Sequence, residues 1–160
     1  MKKIIILCAA LLLLLNGCGG KCCTAVSTAI FLKYQNKSGE DLLDPRTPNA
    51  LKEDDVELYV VKDGMRVLLL DNRKASPKNF HIYGSSTEKY YMQLGFDISK
   101  GSLVKKKVTM FISYKDGSED KFVGEFNVDN GNTLLQNVWI NDVERGRPSH
   151  LSSEAFVLKK

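Results

Sequence analysis

Val108-Thr109-Met110-Phe111-Ile112-Ser113-Tyr114, then Lys115-Asp116-Gly117-Ser118, then Phe122-Val123-Gly124-Glu125-Phe126-Asn127-Val128 is the stretch on which the fold turns. Apolar residues recur at every second position on both sides of an Asp-Gly turn. Side chains of an extended strand alternate between its two faces, so Val108, Met110, Ile112 and Tyr114 form one stripe and Phe122, Gly124, Phe126 and Val128 another. Asp-Gly between two such stripes is a strong hairpin signal.

The same pattern extends outward. Asp129-Asn130-Gly131-Asn132 turns the chain again into a strand over Thr133–Asn141. Upstream, Tyr90, Met92, Leu94 and Phe96 alternate within Lys89–Asp97, and Phe80–Tyr83 is a short strand ending at Gly84-Ser85-Ser86. Val56, Leu58 and Val60 lead into Lys62-Asp63-Gly64 and a return strand, Met65–Leu70. Ile30, Leu32 and Tyr34 stripe Ala29–Gln35, and Ala155–Leu158 reads as the last strand. Pro45 and Pro48 keep the segment between Glu40 and Asp54 out of any central strand. About eight short strands with hairpin turns predict an all-β domain, an antiparallel β-sandwich of immunoglobulin-like or similar type. One apolar face per strand favours a sandwich over a barrel. Its core would hold about 20–25 apolar side chains at roughly 1.5–3 kcal/mol each, enough to dispense with disulfides.

The N-terminus reads differently. Lys2-Lys3 precede an uncharged apolar run, Ile4–Leu15, followed by Asn16-Gly17-Cys18. A basic start, an apolar stretch of about 7–15 residues and a small-residue cleavage site make a secretory signal. The run falls short of the roughly 18 residues that span a bilayer. Leu15-Asn16-Gly17-Cys18 resembles the lipobox of bacterial lipoproteins, although that family usually has Ala, Ser or Thr where Asn16 stands. The resemblance implies cleavage after residue 17 and lipidation of Cys18, with two or more acyl chains forming a stable anchor. Gly19 in place of Asp implies, by the same resemblance, sorting to the outer membrane. Gly19-Gly20-Lys21-Cys22-Cys23 is not acidic, which weakens the case for surface display but leaves both sides of that membrane open. The expected organisation is a signal peptide over 1–17, a lipidated tether over 18–28 and a β-sandwich over 29–160.

Charge and cysteine content narrow the chemistry. Removing Lys2 and Lys3 from 23 basic residues leaves 21 against 19 acidic ones, so there is no global basic footprint for nucleic acid. Lys105-Lys106-Lys107 is a local basic run at the start of a strand. Cys8 leaves with the signal and Cys18 takes lipid. Cys22 and Cys23 are too few for a thiol metal site, and no cysteine follows them.

Reactive constellations are scarce. His81 and His150 have no second ligand at metal spacing. Ser85-Ser86 lack the strand-to-helix turn that exposes a nucleophile. Asp54-Asp55, Glu119-Asp120 and Asp142 with Glu144 are the carboxylate pairs from which a glycosidase would draw. Asn127–Asn132 resembles only the front of a calcium loop, and position twelve of that loop is Val138. No cofactor is implied.

Aromatic residues opposite the core stripes carry more. Tyr59, Tyr91, Phe111 and Trp139 fall on the outward faces. Trp139 with Asn137 and Asn141, together with Tyr91, make a candidate binding patch, because Tyr and Trp give large contact area at small entropic cost.

Asn36-Lys37-Ser38-Gly39-Glu40-Asp41-Leu42-Leu43-Asp44-Pro45 after an early strand, a lipobox and a hairpin-rich body resembles small lipoproteins of unknown function common in Bacteroidetes. That resemblance implies a sandwich and no activity. The expected function is a lipid-anchored, non-enzymatic module that binds an envelope protein or glycan. The alternative is a structural or assembly subunit of an envelope complex, and a small hydrolase ranks below both.

Overall fold

The computed structural model describes residues 24–71, 76–85, 87–149 and 154–160. Strands β1 (Val26–Ser27), β2 (Ala29–Gln35), β3 (Val56–Lys62), β4 (Met65–Leu68), β5 (Phe80–Ser85) and β6 (Glu88–Gly95) are followed by β7 (Lys107–Tyr114), β8 (Glu119–Asp129), β9 (Asn132–Ile140), β10 (Val143–Gly146) and β11 (Phe156–Lys159). They form two sheets. One has the order β1-β9-β8-β7-β3-β4, with β10 also on β9; the other has the order β11-β2-β6-β5.

The β-sandwich expected from the alternation is present, and its two layers share one apolar core. Ile30, Leu32 and Tyr34 of β2 and Met92 and Leu94 of β6 face Leu58 and Val60 of β3, Val108, Met110 and Ile112 of β7, and Phe122 and Phe126 of β8. Phe96 meets Phe126 edge-on at 5.8 Å between ring centroids. The pairing order β2-β6-β5 against β4-β3-β7-β8 repeats the order B-E-D against C′-C-F-G of immunoglobulin-like sandwiches.

Turn chemistry places the hairpins. Asp63 and Gly64 have φ of 49° and 82°, and Asn130 and Gly131 have 48° and 84°. Two successive positive φ values make the tight turn whose twist matches paired strands. Between β5 and β6, Gly84 sits at a register shift, where a Cβ would lie 2.4 Å from Tyr90 Cδ1. Only glycine lets Tyr90 pack there.

Four details depart from expectation. The sheets are mixed, since β1 runs parallel to β9 and β11 parallel to β2. Eleven strands stand among the described residues, because β1 and β10 are too short to show alternation. Val26 and Ser27 lie in the sheet, although their segment reads as tether. Val128 is 43% exposed instead of completing the core stripe. The β7 partner ends at the Lys107–Glu125 pair, so the tip of β8 runs past the core with only β9 beside it.

Candidate functional site

Cys18, Cys22, Cys23, His150 and Ser86 lie outside the described residues. The four patch residues are described, and they do not form one surface. Trp139 projects from the outer face of the seven-stranded sheet, between buried Val138 and Ile140. Tyr91 projects from the outer face of the four-stranded sheet, next to buried Met92.

Around Trp139 the groups are already engaged. The Lys107 ammonium lies 4.4 Å from its ring centroid. Asn137 donates from Nδ2 to Glu144 at 2.5 Å, and its Oδ1 accepts the Val138 N–H at 2.9 Å. Asn141 sits in the turn after β9 with φ 52°, where its Oδ1 accepts the Lys121 N–H and its Nδ2 donates to Asp120. These contacts hold a strand end and a bulge, and they leave little of the group for a ligand.

Tyr91 has different surroundings. Strand alternation brings four rings into a continuous row. Phe31 meets Tyr91 edge-on at 5.4 Å, Tyr91 stacks on Tyr83 at 5.5 Å with 24° between planes, and Tyr83 meets the His81 ring at 4.6 Å. Register sets the order: His81 and Phe31 both pair with Gln93, while Tyr83 pairs with Tyr91. Tyr83 is 41% exposed. A hollow of about 170 Å³ beside the row is lined by Ser76, Asn79, His81, Tyr83 and Gln93. His81 Nδ1 lies 2.7 Å from Glu53 Oε1, which also accepts the Ile82 N–H, so one carboxylate orients the ring and caps the β5 edge.

Lysines border the row. Lys33 follows Phe31 on the same face of β2, and Lys89 precedes Tyr91 on the same face of β6. Both line a hollow of about 360 Å³ with Gln35, Asp41 and Val157. Neither forms an ion pair among the described residues. Asp41 borders the same hollow, but its Oδ1 accepts the Leu43 N–H.

A third locus is a cleft of about 540 Å³ at one end of the sandwich, lined by Tyr34, Leu42, Leu51, Tyr114 and Lys160 among others. Behind it lies a closed polar network. Asp120 Oδ2 is 2.7 Å from the Tyr114 hydroxyl and 2.6 Å from Lys160 Nζ, and Tyr114 and Tyr34 hydroxyls are 2.8 Å apart. A hydroxyl has one proton to give. Tyr114 gives its proton to the carboxylate, so Tyr34 donates to Tyr114. Burial pushes both phenols well above their ordinary range, Tyr34 and Tyr114 alike. Burial alone would also raise the Asp120 carboxyl, but hydrogen bonds from Asn141, Lys160 and Tyr114 outweigh it and hold the carboxyl below its usual range. With protonated phenols and a saturated carboxylate, the arrangement braces the core instead of offering a base or nucleophile.

The carboxylate pairs do not converge. Glu119 binds Arg66 on the outside while Asp120 points inward. Asp55 lies 3.5 Å from Lys115, and Asp142 pairs with Lys121 at 2.7 Å. Among the described residues, no three His, Cys, Asp or Glu side chains come together as metal ligands. The Asn127–Asn132 segment is a hairpin turn, in which Asn132 Oδ1 accepts the Ala25 N–H. Reading from the sequence missed Phe31 and Tyr83. Phe31 was legible as the residue opposite Ile30 and Leu32, and Tyr83 would have followed from pairing β5 with β6 across Gly84. Comparison with known proteins finds no family, curated protein or solved structure that matches this chain.

Proposed function

We propose that the chain is a lipid-anchored, non-enzymatic binding module of the cell envelope, attached to the outer membrane through Cys18, that holds a glycan or an envelope protein. The observation that supports binding is the row Phe31–Tyr91–Tyr83–His81 on the outer face of the four-stranded sheet, exposed at Tyr83 and His81 and flanked by Lys33 and Lys89, which form no ion pair among the described residues. Rings gathered on a wet face at a cost to solubility mark an interaction surface. The leader ending in Leu15-Asn16-Gly17-Cys18 supports the anchor.

A structural or assembly subunit is the second reading, and edge strand β4 favours it. Met65, Val67 and Leu68 are exposed there, and Arg66 is the strand's one charge. Such an edge is a template for another strand.

The test uses cells making the full chain. Labelled palmitate should enter the protein and disappear in Cys18→Ser, which should also leave the membrane fraction; a labelled Cys18→Ser protein removes the anchor assignment. Immobilised protein should capture envelope material that Tyr83→Ala/Tyr91→Ala does not. Loss of capture after periodate identifies a glycan, and loss after protease identifies a protein. Equal capture by the double variant defeats the binding role of this face.

A further inference from the structure

We infer that the outer face of the four-stranded sheet takes an acidic glycan, with sugar rings lying on Tyr83, Tyr91 and Phe31 and carboxylate or phosphate groups held by Lys33 and Lys89. This rests on the proposed binding role of that face and specifies its ligand.

The arrangement combines three chemistries. Stacked and edge-on rings offer π faces whose negative potential suits the C–H faces of a sugar. The Gln93 side chain, which makes no hydrogen bond among the described residues, and Asn79 place amides beside His81 and Tyr83, and Asn79 spends one donor on the Gly95 carbonyl at 2.9 Å. Lys33 and Lys89 sit two residues along their strands from Phe31 and Tyr91, roughly 7 Å away. Elsewhere on the molecule Lys62, Lys78, Lys107, Lys115, Lys121 and Lys160 each reach a carboxylate within 4 Å. Among the described residues Lys33 and Lys89 reach none, as is true of several other lysines, Lys37, Lys52 and Lys100 among them, but these two flank the aromatic row, where they can meet an anion supplied from outside. Lys159, on the neighbouring β11, is a third cation on this sheet without an ion pair among the described residues.

A bilayer surface would also meet lysines and aromatic rings. The geometry favours the glycan. Phe31 and Tyr91 are only partly exposed and lie against one another across the pleat. They present little apolar area to insert, and interfacial binding scales with that area.

The probes are polygalacturonate, neutral dextran and phosphatidylglycerol vesicles, with the full chain held in a sugar-free detergent. Polygalacturonate should bind at least about tenfold more tightly than dextran and weaken as salt rises. Lys33→Gln/Lys89→Gln should lose about tenfold for polygalacturonate while keeping its thermal midpoint, and Tyr83→Ala should lose at least as much. Equal binding of dextran, or lysine variants that bind like the wild type, overturns the acidic-glycan assignment while envelope capture by the aromatic row still stands. Vesicle binding without polygalacturonate binding assigns the face to the membrane and overturns it as well. If envelope capture itself is insensitive to Tyr83→Ala/Tyr91→Ala, the reading beneath this inference has failed.

Discussion

On the outer face of the seven-stranded sheet, Phe111 lies under the Arg66 guanidinium at 3.6 Å from its centroid, Trp139 lies under Lys107, and Tyr59 gives its proton to Glu57 at 2.7 Å. On the outer face of the four-stranded sheet, among the described residues, Phe31, Tyr83 and Tyr91 touch only other rings in this way, and the lysines beside them reach no carboxylate. A ring covered by a cation is closed to a ligand and adds roughly 0.5–1 kcal/mol to the fold at an exposed site. A bare ring adds less and stays available. The two faces therefore differ: the rings of one are engaged by neighbouring charges, and those of the other are the rings on which the proposed binding role rests.

The division can be broken by substitution. The largest effect belongs to the network on the inner side of the seven-stranded sheet. Asp120→Ala strands the Lys160 ammonium and the Tyr114 hydroxyl, and should cost about 3–5 kcal/mol in urea unfolding. The same carboxylate sets an acid limit. Its folded pKa is depressed, so its contribution is complete above the unfolded value of about 3.9 and is lost as pH falls through the folded value. Wild type should lose stability in that window, and Asp120→Ala should show a shallower slope there. Equal slopes would mean that other carboxylates govern acid unfolding. Next comes Trp139→Ala, which should cost about 1–2 kcal/mol and leave envelope capture intact. A stable variant that no longer captures would reverse the roles of the two faces. Smallest is Arg66→Ala, at roughly 0.5–1 kcal/mol of thermal stability, because both the ring contact and the Glu119 pair are solvent-exposed. A loss of capture in that variant would blur the boundary between the faces.

Period-two alternation made the core legible. Residues 108–114 and 122–126 face as their spacing demands, and the Asp-Gly and Asn-Gly turns fall where glycine and asparagine are needed. The parallel pairings of β1 and β11 were not legible, because neither partner is near in sequence and a two-residue strand has no period. The site was half legible. Tyr91 and Trp139 both face outward, as alternation requires. What covers each ring depends on neighbouring strands: Lys107 reaches Trp139 from β7, two strands over, and Tyr83 reaches Tyr91 across a bulged hairpin. One sequence shows facing, whereas cover is a property of register.

The parallel placement of β1 has a mechanical meaning. Tension applied ahead of Thr24 enters the sandwich along β1, where Val26 and Ser27 pair with Thr133 and Leu134 of β9. Ala25 braces the same point, giving its N–H to Asn132 Oδ1 at 2.7 Å and accepting the Thr133 N–H at 2.9 Å. These bonds cross the strand, so a lengthwise pull shears them together instead of opening them in turn. Under such a pull β1 would act as a cable clamp: the load would reach the edge of one sheet first, and β2, which carries Phe31 in the interior of the other sheet, would be spared until the clamp gave way.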